Sequence, residues 1–365
     1  MSAPAFIHNA HLYLTLLPRK GRTALPAHIA AWRSEFRHRN ANLMRETLEE
    51  YVPADRKNDR RYIRRLRHEL YFCAERYNVL YAEYFRYHFD LLSDAGRRQY
   101  VGDPERYRRC KLMSTRETQM IFENKLLTYQ RFEKYYGREI LHITGEADKA
   151  AFLAFLQKHP HCILKPLYKS LGHGVSAVNA DTKDFDADAC FAGLFTGEEN
   201  AWLLEERIEQ SECMAAFHPQ SCNTMRVTSY LRDGKADILW CDLRMGVGGS
   251  VVDNAGAGGV LASVDPETGI VRTPAMTKKG DSFLCHPDTG AQIIGFHVPR
   301  WDELLALVDT LAHVVPEQPY VGWDLALTDN GWVMIEGNDR AQFGVQFAER
   351  RGYRDVIDAY FPPLP

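Results

Sequence analysis

Gly322-Trp323-Asp324-Leu325-Ala326-Leu327, followed across the turn Asp329-Asn330-Gly331 by Val333-Met334-Ile335-Glu336-Gly337-Asn338, organises the reading of this chain. An Asn-Gly turn between two apolar runs signals a β-hairpin. Asp324 and Glu336 are therefore expected on adjacent antiparallel strands. Asn338 lies two residues past Glu336 and shares its face in an extended chain. Three hard oxygen donors can converge there. Such a set suits Mg²⁺, which is usually held by one or two carboxylates together with substrate phosphates. The competing reading has Asp324 opening a turn and Glu336 solvated on a strand. An apolar strand that ends on a carboxylate and an amide tilts the balance towards a site.

Upstream of this hairpin, strands and helices alternate from about residue 111. Val227 to Leu231 and Ile238 to Leu243 read as a second hairpin, joined by Arg232-Asp233-Gly234. Short strands are expected at Ile140 to Ile143, Cys162 to Leu167, Val175 to Val178 and Ala201 to Ile208. Helices are expected at Leu126 to Tyr136, Asp148 to Gln157 and Trp301 to Val314. The mixture reads as α+β with antiparallel sheets. Residues 24–110 read as helical, with apolar positions at helical spacing from Pro26 to Glu50 and a stop at Pro53. A second helix follows Arg56 and puts Ile63, Leu66, Leu70 and Cys73 on one side. The aromatic stretch from Tyr81 to Leu92 reads as packed helix. Three regions result: a helical, basic 1–110, then 111–212, then 213–365.

Charge supports the first division. The 365 residues carry a formal charge of −3, but residues 1–110 hold 21 Lys/Arg against 13 Asp/Glu, a surplus of 8 positive charges, which leaves −11 for the rest. The arginines from Arg60 to Arg67 could face nucleic acid or a membrane surface. A solvated helix face is favoured, because Glu69 and Glu75 dilute the run and no aromatics are arranged along it for base stacking. No nucleic-acid partner is expected. The composition, 45% hydrophobic and 25% charged, excludes a disordered chain, a collagen-like fibre and a disulfide-stapled miniprotein. No run of 18 apolar residues predicts a membrane span. The eight cysteines show no CxxC spacing, and the first residues make a poor signal peptide. Reduced thiols and a cytoplasmic location are expected.

Three further stretches carry candidate chemistry. Ile163-Leu164-Lys165-Pro166 ends a buried strand on a lysine, before the loop Tyr168 to Gly174. An ammonium beside a small glycine-bearing loop suits a polyphosphate, although GxxxxGK[ST] is absent. Trp202-Leu203-Leu204-Glu205-Glu206-Arg207-Ile208-Glu209-Gln210-Ser211-Glu212 runs from an apolar strand into an acidic linker. It can offer backbone groups to an adenine edge and a carboxylate to ribose, or be an acidic surface turn. Arg226 on one strand and Arg244 at the end of its hairpin partner, with the glycine-rich stretch Asp253 to Val260, suit a phosphate or carboxylate.

The order of these pieces resembles the ATP-grasp superfamily of carboxylate–amine ligases from about residue 111 to 350. Within it the chain is most similar to the sugar-transfer-associated ATP-grasp proteins, including the helical front with Tyr84-Phe85. The resemblance implies an α+β ATP-grasp fold, two subdomains clamping ATP, preceded by a mostly helical region. It implies that Lys125 and Lys165 hold nucleotide phosphates, with Ser170, Gly172, His173 and Gly174 forming the flexible loop over them. It places Glu205, Glu206 and Ile208 at the adenine hinge and Glu212 at the ribose. Arg226 and Arg244 would steady a carboxylate or acyl phosphate beside the loop Asn254 to Gly259, where Gly258 and Gly259 would offer backbone N–H groups. Asp324, Glu336 and Asn338 would ligate Mg²⁺, with Mn²⁺ as the alternative ion. Gly322 stands where several peptide ligases keep an arginine.

The implied activity is ATP-dependent amide formation through an acyl phosphate, in natural-product or saccharide-modification biosynthesis. The partners are then a small-molecule carboxylate and an amine, and a homo-oligomer is compatible with the sequence. His173 is the candidate base. A kinase-like phosphotransferase on the same fold, or a non-catalytic protein that binds nucleotide or polyanion, are the rival readings.

Overall fold

The computed structural model describes residues 41–168, 174–197, 199–250 and 258–364. They divide into two compact units. One holds the described residues up to Arg109 together with those from Gln342 onward. The other is Cys110–Ala341. The segment from Gln342 on, grouped by sequence with 213–365, therefore joins the helical front instead.

The first unit is helical. A helix over 41–51 precedes the helices Arg60–Tyr77, Tyr81–Arg86, Asp94–Arg98 and Asp103–Leu112, the last running into the second unit. Asp59 caps Arg60–Tyr77 by accepting from the N–H groups of Arg61 and Tyr62. Leu66, Leu70 and Cys73 line its buried side, as the spacing predicts. Arg60, Arg61, Arg64 and Arg67 are exposed, whereas Glu69 is buried against Arg97 at 3.3 Å. Two short helices, Gly344–Ala348 and Arg354–Tyr360, complete this unit. The Gln346 amide reads both backbone groups of Val101, accepting from its N–H at 3.0 Å and donating to its carbonyl at 2.9 Å. Arg354 meets Glu105 through two nitrogens, at 3.0 and 3.1 Å.

The second unit carries eleven described strands in two antiparallel sheets. The small sheet contains β1 (Ile140–Ile143), β2 (His161–Pro166), β3 (Ser176–Asn179) and β4 (Trp202–Glu206), in the order β1-β4-β2-β3. Cys162, Leu164, Val178 and Leu204 face a core shared with Phe152, Leu156 and Phe191 of two covering helices. The large sheet runs β11-β10-β5-β6-β7-β8-β9. Its main strands are β5 (Thr224–Arg232), β6 (Lys235–Met245), β7 (Val260–Val264), β10 (Tyr320–Thr328) and β11 (Gly331–Asn338), with short β8 (Ala275–Met276) and β9 (Ser282–Phe283) at the edge.

Local chemistry explains both long hairpins. Asp233 and Gly234, at φ 53° and 75°, make the two-residue turn with positive φ that matches strand twist. Gly331, at φ 125°, closes the β10–β11 turn. One face of the large sheet buries Met225, Val227, Cys241, Leu243, Ala262, Trp323 and Leu325. Against that face packs the helix Trp301–Ala312, through Trp301, Leu304, Val308 and Leu311 at helical spacing. Strand alternation leaves the other face for polar side chains. All eight cysteines are free. Among the described residues, no helix is long and apolar enough to cross a membrane.

Candidate functional site

The polar face of the large sheet holds one cross-strand row. Glu336 on β11 pairs in register with Asp324 on β10, Asp324 with Arg226 on β5, Arg226 with Asp242 on β6, and Asp242 with Ser263 on β7. Neighbours in such a row lie close enough for direct interaction. The Arg226 guanidinium forks onto the Asp324 carboxylate, with Nη2 2.6 Å from Oδ2 and Nε on Oδ1. Arg244 adds Nη1 at 3.1 and 3.2 Å from the two carboxylate oxygens. Asn338 donates to Glu336 at 3.3 Å.

This row sets the ionisation of its members. Burial pushes the Asp324 carboxyl up, but Arg226 and Arg244 overcome it and hold it at about 2. Glu336 lies above the usual carboxylate range, through burial first and the Asp324 charge second. Burial works against the Arg226 charge and Asp324 more than restores it.

A β-bulge sits beside the row. Asp324 opposes Glu336, yet the next residue, Leu325, opposes Met334, so Ile335 is the extra residue of β11. Bulges re-aim side chains and leave a backbone group outside the ladder. Here Arg138 takes the carbonyls of Met334 at 2.7 Å and Ile335 at 3.4 Å. The same guanidinium holds Glu205 of β4, with Nε at 3.0 Å and Nη2 at 2.9 Å. Lys165 of β2 reaches the same Glu205 oxygen at 2.9 Å. Burial pushes the Glu205 carboxyl up, and Lys165 and Arg138 bring it down to about 2. Lys125 opens the helix Lys125–Phe132, which Asn124 caps, and donates to the Leu167 carbonyl at 3.4 Å. Burial lowers its ammonium pKa, Glu336 opposes this and Lys165 adds to it.

Lys125, Lys165, Glu205, Arg226, Arg244, Asp324, Glu336 and Asn338 thus form one connected electrostatic cluster. Glu206 does not join it. Alternation turns its carboxylate away from Glu205, towards the Glu139 N–H at 3.1 Å and His159 at 3.5 Å. Ile208 is half-buried, and Glu212 is exposed in the first turn of a four-residue helix. Gly174 and Gly258 have φ of 76° and 102°, which favour glycine, and Gly259 is buried. Ser170, Gly172, His173 and Asn254 lie outside the described residues. Sequence reasoning missed Arg138, because a lone arginine after Gly137 carries no motif. It also missed Asp242, whose only signal was alternation with Arg244.

The stem before the glycine-rich stretch is held by two histidines. Ser221 N–H donates to His218 Nδ1 at 3.1 Å, so His218 Nε2 carries the proton given to the Gly248 carbonyl at 2.7 Å. Asp288 N–H donates to His286 Nδ1 at 3.3 Å, and His286 Nε2 donates to the Gly246 carbonyl at 2.8 Å. The Asp288 carboxylate accepts from Gly248 N–H at 2.6 Å.

The donor set can be tested against a divalent ion. Among the described residues no three His, Cys, Asp or Glu side chains gather as a metal cluster. The set here is two carboxylates and an amide. Two facing carboxylates, Asp324 buried and Glu336 half-buried, the latter pushed up by burial and by Asp324, favour a cation between them. The residues fit Mg²⁺, with Asp324 already shared by two guanidiniums.

The sugar-transfer-associated ATP-grasp family matches residues 106–359. The chain belongs to that family. The two antiparallel sheets and their helices form its α+β ATP-grasp fold, and the helical front precedes the matched region for most of its length. No curated protein matches this ATP-grasp chain. Among solved structures, it is similar to D-alanyl-alanine synthetase A from Vibrio cholerae O1 biovar eltor, at 13% identity and TM-score 0.40, over 66% of this chain and 61% of that one. It is also similar to the ATP-grasp ligase PsnB complexed with a minimal precursor, at 14% identity and TM-score 0.39, over 68% and 62%. A RimK domain protein ATP-grasp from Sphaerobacter thermophilus matches at 14% identity and TM-score 0.38, over 67% and 69%. The chain spans about three fifths of the length of the first of these.

Proposed function

We propose that this protein is an ATP-dependent carboxylate–amine ligase that releases ADP and phosphate. The observation that carries the reading is the single cluster in which Lys125 and Lys165 lie within electrostatic reach of Glu336, itself paired across the strands with Asp324 and Arg226. Family membership supports the use of ATP.

Lys125 and Lys165 would bind ATP phosphates. Arg226 and Arg244 would orient the substrate carboxylate. One carboxylate oxygen attacks the γ-phosphorus, and the bond to the bridging oxygen of ADP breaks. The amine nitrogen then attacks the acyl carbon, phosphate departs, and the nitrogen loses a proton. These residues act by position and charge, with no covalent enzyme intermediate. Backbone N–H groups of Gly258 and Gly259 would face the developing oxyanion. Mg²⁺ held by Asp324, Glu336 and Asn338 would supply positive charge for the phosphates.

The test is a screen of carboxylic acids and amines for amine-dependent ADP release, with mass spectrometry of the products. Glu336→Ala and Lys165→Ala should each abolish release while the chain stays folded. ADP with a stable phosphorylated product and no need of amine supports phosphotransfer instead. Nucleotide binding without turnover supports a binding protein.

A further inference from the structure

We propose that Arg138 is the positioning residue that keeps the Lys165 ammonium available to nucleotide phosphate and fixes the bulge next to Glu336. The inference rests on the nucleotide site proposed above and goes beyond it, because Arg138 carries no assigned role.

Lys165, Glu205 and Arg138 form a buried triad in which one carboxylate serves two cations, leaving one net positive charge. The Arg138 and Glu205 side chains are 2% and 5% exposed, and Lys165 is 17% exposed at the open end. Arg138 takes Glu205 through two nitrogens and holds it from behind. Lys165 is then one of two partners of that carboxylate rather than its sole neutraliser. Its charge is only partly cancelled and remains able to meet a phosphate.

The other edge of the guanidinium is equally occupied. Its Nη1 takes the Tyr136 carbonyl at 3.0 Å and the Met334 carbonyl at 2.7 Å, and Nη2 reaches the Ile335 carbonyl at 3.4 Å. Met334 and Ile335 are the bulge residues directly before Glu336. One planar side chain therefore ties the small-sheet strand β4, which carries Glu205, to the large-sheet strand β11, which carries Glu336. A lysine has the charge but not the fork, and cannot hold both. The Tyr136 ring lies 4.5 Å from the guanidinium carbon and adds a cation–π contact.

Removing Arg138 would leave Glu205 and Lys165 as a private neutral pair. Removing the Glu205 charge as well would free Lys165 again. A role confined to stability predicts no such recovery. The experiment measures the affinity of a non-hydrolysable ATP analogue with Mg²⁺ by calorimetry, and thermal unfolding in parallel. The proteins are the unaltered chain, Arg138→Lys, Arg138→Met, Glu205→Gln and the double variant Arg138→Met with Glu205→Gln. Arg138→Met should weaken analogue binding by on the order of tenfold or more. The double variant should recover most of that loss, a coupling that a double-mutant cycle isolates. Arg138→Lys should fall between. Analogue binding that Arg138→Met leaves unchanged overturns this inference alone. Equal weakness in the single and double variants also overturns it, because it reduces Arg138 to a structural role. If Arg138→Met does not fold, Arg138→Lys and Glu205→Gln decide: Arg138→Lys binding like the unaltered chain overturns the inference. No analogue binding by the unaltered chain overturns the nucleotide site and this inference with it.

Discussion

Arg226 and Asp324 face each other in register on neighbouring strands, and the guanidinium forks onto the carboxylate beneath the position of Glu336. Asp324 thus balances two arginines from one side and a carboxylate from the other. Asp324→Asn should leave two largely buried guanidiniums without their counter-charge and cost on the order of 3–5 kcal/mol of stability. Chemical denaturation of the variant at neutral pH measures this. A loss near zero would show that the row is not held by this pair.

Glu336 should behave in the opposite way. Its carboxyl is raised by burial and by Asp324, so its charge costs stability above the ordinary carboxylate pKa. Glu336→Gln should therefore raise the unfolding midpoint in the presence of a chelator. It should also abolish any rise that added Mg²⁺ gives the unaltered chain. Equal Mg²⁺ stabilisation of both proteins would remove Glu336 from the proposed ligands.

Acid should act on the two low carboxyls of the site, adding to the effect of Asp94 in the helical unit, which is also held at about 2. Glu205 and Asp324 have native pKa values of about 2, against ordinary values of 4.5 and 3.8. The native state holds both groups deprotonated more strongly than the unfolded chain does. Their stabilisation is thus present in full above about pH 4.5 and is lost as pH falls towards 2. Unfolding at a series of pH values should show that slope, and Glu205→Gln should flatten part of it.

The histidine-held stem gives a second, milder pH window. His286 lies below its ordinary value of 6.5, chiefly through burial, with the Gly246 carbonyl opposing. Its neutral form is therefore favoured by folding, and that stability is present above about 6.5 and is lost as pH falls below it. Protonation would also turn His286 Nδ1 from an acceptor into a donor facing the Asp288 N–H. The protection of the 246–248 amides, taken relative to intrinsic exchange at each pH, should fall on moving from pH 7.5 to 5.5, and His286→Gln should remove most of the change.

Position 322 leaves no room for a side chain. A Cβ there would lie 2.4 Å from the Ala341 Cβ and 3.1 Å from the Arg226 Cδ. Ala341 already fills this space, with the Arg226 side chain of the neighbouring strand beside it. Gly322→Ala should cost about 1–3 kcal/mol by overpacking, and Gly322→Arg should destabilise further rather than improve turnover. Thermal unfolding and ADP release measure both.

What the sequence disclosed follows from how local each signal is. The two hairpins were legible because Asp233-Gly234 and Asn330-Gly331 meet a backbone requirement at the turn itself. From those turns the strand pairs follow, but the shared face of Asp324 and Glu336 does not: unbroken alternation would set Asp324 against Ile335 and turn Glu336 to the opposite face, and only the bulge brings it round. The Ile335 bulge was not legible, since one extra residue in a strand leaves apolar patterning intact. Arg138 was hidden for the same reason that it matters. Its partners come from positions 136, 205, 334 and 335, and only folding brings them together. The affiliation of Gln346 with Val101 is equally long-range. The reading of Arg60 to Arg67 as a diluted charge run leaned on Glu69, which is in fact buried against Arg97.

The division of the helical unit between residues before Cys110 and residues after Ala341 has a consequence for synthesis. The backbone groups of Val101 are made early, yet the Gln346 side chain that satisfies them leaves the ribosome hundreds of residues later. The Cys110–Ala341 unit can mature first, as an insertion whose two ends are spliced into one host. The host closes last, so nascent chains released before Gln346 would display an unfinished helical unit to the quality-control machinery of the cell.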